Sequence, residues 1–338
     1  MKRPVVRIVG ETGSDLLPAW GSSLMSVTFT DNSGGDADEL EFQFSVTTPL
    51  QAPPQKGQQY RLLFNWQGEA LRDAGLFTFQ SASLSFEAEG GWTMSVVSRS
   101  ADFVDADKAA DVEHFEETTA GEIFRQLAEG VGKKATVHPV IDAIPIPYRL
   151  RMQQSAVGFA QQLADELGAT LKLANGQWLV PLKNSGQTAL GSTLPPIVIS
   201  ADEATGCDLT TEGRPEFAEV RATWFDEEKG LPALAVAKGS GRSAAFFGLH
   251  SAPSASEAKQ RSQAERKEME SAAITGSVSL EGRAGAIAGA PVELVQFGGW
   301  SGFDLVAQTI THTFTFDESG GWLMSIELSA KGDASAAG

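Results

Sequence analysis

Two groups of acids could do chemistry in this sequence: Asp36, Asp38 and Glu39, and Asp226, Glu227 and Glu228. Two carboxylates about 5–9 Å apart suffice for glycoside cleavage, one as acid and the other as base or nucleophile. Both groups fall at predicted turns between strands, where acids are ordinarily solvated. The four histidines, His114, His138, His250 and His312, are scattered and lack metal-ligand spacing such as His-Glu-x-x-His. Each reads as a surface or packing residue. Gly239-Ser240-Gly241-Arg242-Ser243 is glycine-rich but lacks the lysine and the spacing of a phosphate cradle, so it reads as a loop. No nucleophile elbow or dinucleotide fingerprint accompanies it. The one cysteine, Cys207, excludes an internal disulfide and multi-cysteine metal sites, and reads as a buried, inert thiol. The expectation is a protein that is not an enzyme, with no catalytic residues, no cofactor and no metal. Trp66 and Trp300, beside glycine-containing loops, are the candidates for a sugar-binding alternative.

The elements around these residues are mostly strands. Met25, Val27 and Phe29 alternate with polar residues, as do Leu40, Phe42 and Phe44, which is the period of a half-buried strand. Asp31-Asn32-Ser33-Gly34-Gly35-Asp36 between them is turn chemistry. Further strands are predicted at Gln59–Trp66, Gly75–Glu87 and Trp92–Ser98. After Phe103 the pattern changes. Thr119-Ala120-Gly121-Glu122 is a capping box that opens one helix, and a second begins near Ser155. Asn175-Gly176 joins two short strands as a hairpin. Residues 186–206 read as a connection carrying one short strand, Ile197–Ile199. Strands resume at Phe217–Phe225 and around Leu234–Ala237. A polar helix runs from Ser254 to about Ala273, in which Glu257 and Arg261 have the favourable i,i+4 orientation.

One string recurs. Gly90-Gly91-Trp92-Thr93-Met94-Ser95-Val96 returns as Gly320-Gly321-Trp322-Leu323-Met324-Ser325-Ile326, and Leu84 and Phe86 align with Phe314 and Phe316 at the same offset. Both copies read as strand, acidic Gly-Gly hairpin and Trp-x-Met-Ser strand, so Trp92, Met94, Trp322 and Met324 are expected in the cores of two related β-barrels. A chain carrying one module twice, assembled as a cyclic trimer, presents six similar modules in a ring.

The bulk numbers agree with a folded, β-rich chain. Its 338 residues are 42% hydrophobic, enough to fill two or three domains. The net charge of −17 disfavours stable nucleic-acid binding, because phosphates would be repelled. No apolar run reaches signal-peptide length, and none approaches the roughly 20 residues of a membrane span. Folding in the cytoplasm is expected.

The order of several motifs resembles the phage late control D family of tail hub proteins. Gly35-Asp36-Ala37-Asp38-Glu39-Leu40-Glu41-Phe42 is similar to that family's acidic turn and strand, and Arg99-Ser100-Ala101-Asp102-Phe103 to the closing motif of its first barrel. Thr118-Thr119-Ala120-Gly121-Glu122-Ile123 and Ser155–Ala169 are similar to its two inserted helices. Ser256–Met269 followed by Thr275–Leu280 is placed like its late helix and strand. The resemblance spans roughly residues 20–330.

The resemblance implies a homotrimeric baseplate hub of a contractile tail, α+β but mostly β, in which two tube-like barrels per chain form a pseudo-hexameric ring. Such a ring seats the tail tube protein on one face and the spike protein on the other, alongside other baseplate proteins and the tape measure. The same architecture opens the spike proteins of type VI secretion. The alternatives are the hub of a tailocin or type VI-like device, or a tail protein that binds or cleaves cell-wall glycan. The expected location is the virion tail baseplate, assembled in the host cytoplasm, with a separate polypeptide as spike. DNA would cross an acidic lumen, three chains carrying about −51 (three times −17). The expected division is a first barrel over 1–104, an inserted α+β domain over 105–185, a linker over 186–206, a second barrel with the polar helix over 207–330, and a tail over 331–338. Glu257, Arg261 and Glu265 of that helix are the expected contacts with a neighbouring subunit.

Overall fold

The computed structural model describes residues 2–48, 50, 52–100, 110–211, 217–239, 241, 243–271, 274–316 and 320–331. Ala101, Asp102 and Phe103 of the closing motif, Ser240 and Arg242 of the glycine-rich loop, the hairpin acids Asp317 and Glu318, and the tail after Lys331 lie outside the described residues.

The first β module is β1 (Pro4–Gly10), a short helix α1 (Leu17–Trp20), β2 (Leu24–Asn32), β3 (Glu39–Val46), β4 (Gln59–Trp66), β5 (Arg72–Glu87) and β6 (Gly91–Arg99). The inserted unit follows as β7 (Ala110–Thr119), α2 (Ala120–Gly130), β8 (Lys134–Val137), α3 (Pro139–Asp142), β9 (Pro145–Ser155), α4 (Ala156–Glu166), β10 (Lys172–Ala174) and β11 (Gln177–Val180). The rest comprises β12 (Ile197–Ser200), β13 (Ala204–Thr211), β14 (Glu219–Asp226), β15 (Leu231–Lys238), β16 (Ala245–Phe247), α5 (Ala255–Ser271), β17 (Ile274–Glu281), β18 (Pro291–Val295), β19 (Leu305–Thr315) and β20 (Trp322–Ala330), of which β14, β15 and β16 form a separate three-stranded sheet and the other six strands the second module. Strand outweighs helix threefold, 52% against 17%, so the chain is α+β and mostly β.

Local chemistry accounts for the helix starts. Thr119 accepts from the Glu122 amide while the Glu122 carboxylate accepts from the Thr119 amide, closing the capping box at α2. The Ser155 hydroxyl accepts from the Gly158 amide and starts α4. Ile123, Phe124 and Leu127 of α2 and Phe159 and Leu163 of α4 then bury one face each, closing over Trp178 to form the core of the inserted unit. The unit also holds an antiparallel ribbon of β7 and β9, which the sequence pattern does not announce.

The two β modules share one strand order. The first runs β1-β4-β5-β6-β3-β2 and the second β12-β18-β19-β20-β17-β13, which in chain order is the same permutation. The stretch read as a linker thus supplies β12, the first strand of the second module. One difference is direction: β1 pairs antiparallel with β4, whereas β12 pairs parallel with β18. The predicted barrels are open sheets among the described residues, since neither β1 and β2 nor β12 and β13 pair with each other. The second sheet nevertheless curls. Only residues 201–203 separate β12 from β13, at opposite ends of the second order, and so short a segment reaches at most roughly 14 Å.

The modules fuse edge to edge. β2 pairs antiparallel with β19 from Asn32↔Thr309 to Ser26↔Thr315, making one continuous sheet. Inward residues of both strands are dry: Val27, Phe29, Ile310, His312 and Phe314 are buried. Phe314 and Trp322, although they belong to the second module, pack into the core of the first. Trp322 lies against Trp66 (4.9 Å between ring centroids) and Phe64 (5.3 Å), and its indole N–H donates to His312 Nδ1 at 3.1 Å. Burial and the Arg72 charge push His312 down to about 3, so its ring stays neutral and free to accept. Met94 and Met324 are buried, whereas Trp92 is only partly covered.

Trp322→Ala would leave a cavity at the joint between the modules and is expected to cost about 3–5 kcal/mol. Chemical denaturation followed by circular dichroism measures it; a loss below 1 kcal/mol would show that the joint carries little of the folding energy.

Candidate functional site

The joint between the modules continues into a buried ionic cluster where three parts of the chain meet. Asp31, at the end of β2, is almost wholly out of water. Its carboxylate accepts from Lys172 of β10 at 2.5 Å, from Arg72 of β5 at 3.1 Å and from the backbone N–H of Ala288 at 3.2 Å. Lys172 also reaches Asp38 (3.1 Å) and donates to the Asn32 carbonyl (2.7 Å). Arg72 turns its other nitrogen to the carbonyls of Ala284 (3.0 Å) and Ala286 (2.5 Å) in the β17–β18 loop. The first module, the inserted unit and the second module are therefore tied by one network.

Burial alone would raise Asp31, but Lys172 and Arg72 hold it below the usual carboxylate range. Burial would likewise lower Lys172, yet Asp31 and Asp38 keep it above its ordinary value. Asp38 is the weak member. Burial, with the neighbouring Asp31 charge added against the pull of Lys172, pushes it up to about 6.

A second network mounts α5. Arg149 of β9 pairs with Glu166 of α4 at 2.9 Å and with Glu257 of α5, while Arg261 of α5 pairs with Glu166 at 2.7 Å. Glu257 is fully buried. The expected i,i+4 pairing of Glu257 with Arg261 is therefore replaced by two tertiary pairs. Both side chains face the inserted unit of their own chain, so they do not offer a contact to a neighbouring subunit. Glu265 sits beside Gly248 and is partly buried, which raises its carboxyl. The polar helix thus covers β14 and β15 and ties their small sheet to the insertion.

The remaining candidates are dispersed. Of the first acid group, Asp36 is exposed, Glu39 pairs with Arg99 at 3.0 Å, and Asp38 is inside the ionic cluster. Asp226 accepts from Lys229 in the β14–β15 turn while Glu227 and Glu228 face solvent. Neither group presents two facing carboxylates. His138 caps α3 and meets Gln187, His114 meets Tyr148, and His250 is exposed. Trp66 is buried with its indole N–H on the Gly282 carbonyl, which removes it from a sugar-binding face, and Trp300 is partly covered against the second core. Cys207 is exposed on β13, not buried as its type led one to expect, because β13 is an edge strand. Sequence reasoning missed Asp31, Arg72 and Lys172. Asp31 lies inside a run of turn residues, and its partner Lys172 is 141 positions away.

Removing Lys172 leaves two buried carboxylates facing each other, so Lys172→Met is expected to cost about 3–5 kcal/mol. Asp38→Asn keeps the oxygen that accepts from the Asn32 amide and removes a like charge beside Asp31. Because Asp38 holds its proton to higher pH in the folded chain than in the unfolded one, the wild type should lose stability relative to Asp38→Asn as pH rises from about 4 to about 6. Urea midpoints of the two proteins across that range check it; a constant difference would show that Asp38 titrates normally.

No family model matches the chain. It is 28% identical over 219 residues to the probable baseplate hub protein of Escherichia phage 186, an alignment covering 64% of this chain and 55% of that protein. The chain thus spans about half the length of the curated relatives it matches. Among solved structures, the 43 kDa tail protein of a Shewanella oneidensis prophage superposes with a TM-score of 0.68 at 15% identity, over 96% of this chain and 98% of that one. An Escherichia coli component of the type VI secretion system, described as structurally similar to phage T4 tail proteins, gives 0.55 at 9% identity over 93% and 76%. The resemblance drawn from motif order therefore holds: the chain has phage baseplate hub proteins as curated homologues and the fold of phage tail and type VI secretion proteins.

Proposed function

We propose that the chain is a structural subunit of the baseplate hub in a phage-type tail. Three copies form a ring of six β modules, one face seating the tail tube and the other the spike, within the virion baseplate assembled in the host cytoplasm. The observation that carries this reading is the pair of six-stranded modules with one strand order, joined edge to edge through β2 and β19. A joint that puts one module beside its near-copy is a heterologous contact. Repeated around an axis, such contacts generate a ring where the rotation closes. The homology to a phage baseplate hub supports the same assignment. In this reading the work is mechanical and steric: the ring matches three-fold to six-fold symmetry, nucleates the tube and anchors the spike. An acidic bore would repel DNA phosphates during passage.

Light scattering on the purified chain is expected to give about 107 kDa, three times 35.8 kDa, with six-lobed rings in electron micrographs. A monomer that persists after a spike protein is added would overturn the ring.

A further inference from the structure

The two modules correspond residue by residue. Leu84↔Met94 and Phe86↔Trp92 across β5 and β6 match His312↔Met324 and Phe314↔Trp322 across β19 and β20. Both hairpins break register at one residue, Gln80 in β5 and Gln308 in β19. The β2–β3 and β13–β17 pairs break register at Met25 and Thr205, so Ser26, Val27 and Phe29 correspond to Gly206, Cys207 and Leu209. In each module the fifth strand pairs with the fourth only along its first part.

The second part of that strand has different company in the two copies. In β19, residues 309–315 take β2 as partner. In β5, residues 81–87 pair only with β6 among the described residues. β13, the counterpart of β2, likewise pairs only with β17. Exposure follows the missing partner: Leu84 is 46% and Phe86 58% exposed, where their counterparts His312 and Phe314 are 0% and 1%. Phe86 packs tilted against the half-covered Trp92 at 4.9 Å, as Phe314 does against Trp322 at 5.2 Å, but without a neighbouring module to enter. Neither edge carries the lysine or proline that ordinarily blocks strand addition.

We infer that β13 of one copy pairs antiparallel with residues 81–87 of β5 in the next copy, and that Phe86 and Trp92 of the next copy thereby enter the second module of the copy that supplies β13. The inference rests on the trimeric ring proposed above and assigns its interface. The register follows from Ser26↔Thr315, Val27↔Phe314 and Phe29↔His312 within the chain: Gly206 opposite Glu87, Cys207 opposite Phe86 and Leu209 opposite Leu84. Cβ atoms directly opposite in such a pair lie about 4.5–5.5 Å apart, close enough for a disulfide after slight adjustment.

The test uses the full chain with Phe86→Cys under mild oxidation, set beside light scattering of the same preparation. Phe86→Cys is expected to give covalent trimers on a non-reducing gel through the native Cys207. Ser85→Cys, whose side chain points to the other face, and Phe86→Cys combined with Cys207→Ser are expected to give none. Leu84→Asp should keep the circular dichroism spectrum of the folded chain and abolish the trimer. A trimer by mass that does not crosslink through Phe86→Cys, or that survives Leu84→Asp, overturns this interface and leaves the ring standing. A wild-type chain that stays monomeric overturns the ring and the interface with it.

Discussion

A carboxylate carried out of water must be met by opposite charge or by hydrogen-bond donors, because an unpaired buried charge is among the costliest features a fold can hold. Asp31 is such a group, and its three donors come from three parts of the chain: Arg72 from β5, Lys172 from the inserted unit, and the Ala288 amide from the β17–β18 loop. On the backbone, the same residue stands opposite Ile310 in the β2–β19 pair. Net stabilisation from such a cluster is modest, because desolvation offsets most of the attraction. Its stronger effect is on alternatives. Any arrangement that withdraws Lys172 or shifts the β17–β18 loop strands a charge, so the insertion and the second module are held to one placement around the end of β2.

The repeat works on a different principle. Its two copies agree in strand order, in register and in the position of both breaks, yet they are not buried alike. The difference arises because the first module's core is completed by an aromatic pair that the second module supplies, while Phe86 and Trp92 of the first enter no other core within the chain. Phe314 and Trp322 close the first module's core from the second. The hairpin joining β19 to β20 is two residues longer than that joining β5 to β6. For that reason Phe314 occupies the place of Phe86, and His312 that of Leu84. The constant offset read from the sequence holds along β6 and β20 and slips by two along the preceding strands.

Features fixed by neighbours in sequence were legible. The capping box at Thr119, the Asn175-Gly176 hairpin and the strand Gln59–Trp66 appear where local chemistry places them. The β7–β9 ribbon was not, because most of its side chains, among them Val112, Glu116 and Met152, face solvent and leave no alternating pattern to read. Pairings across the fold were equally hidden. Asp31 and Asp38 look like turn acids, and Glu257 like half of a helix-surface pair, until Lys172 and Arg149 are brought beside them. Legibility ended where a residue's environment depended on a partner more than a few positions away.

The charge balance closes the argument about what can join such chains. The two buried networks consume Asp31, Asp38, Glu166 and Glu257 against Arg72, Lys172, Arg149 and Arg261, four of each sign. What remains is 39 acids against 22 bases, so the whole of the −17 is borne outside these networks. Copies of the chain therefore repel one another at long range, more weakly as salt shortens the Debye length. A joint between them has to work against that field with contacts that do not depend on charge. Backbone hydrogen bonds along an unpaired strand edge and a half-covered aromatic pair are contacts of that kind, and they are what β5, β13 and Trp92 present.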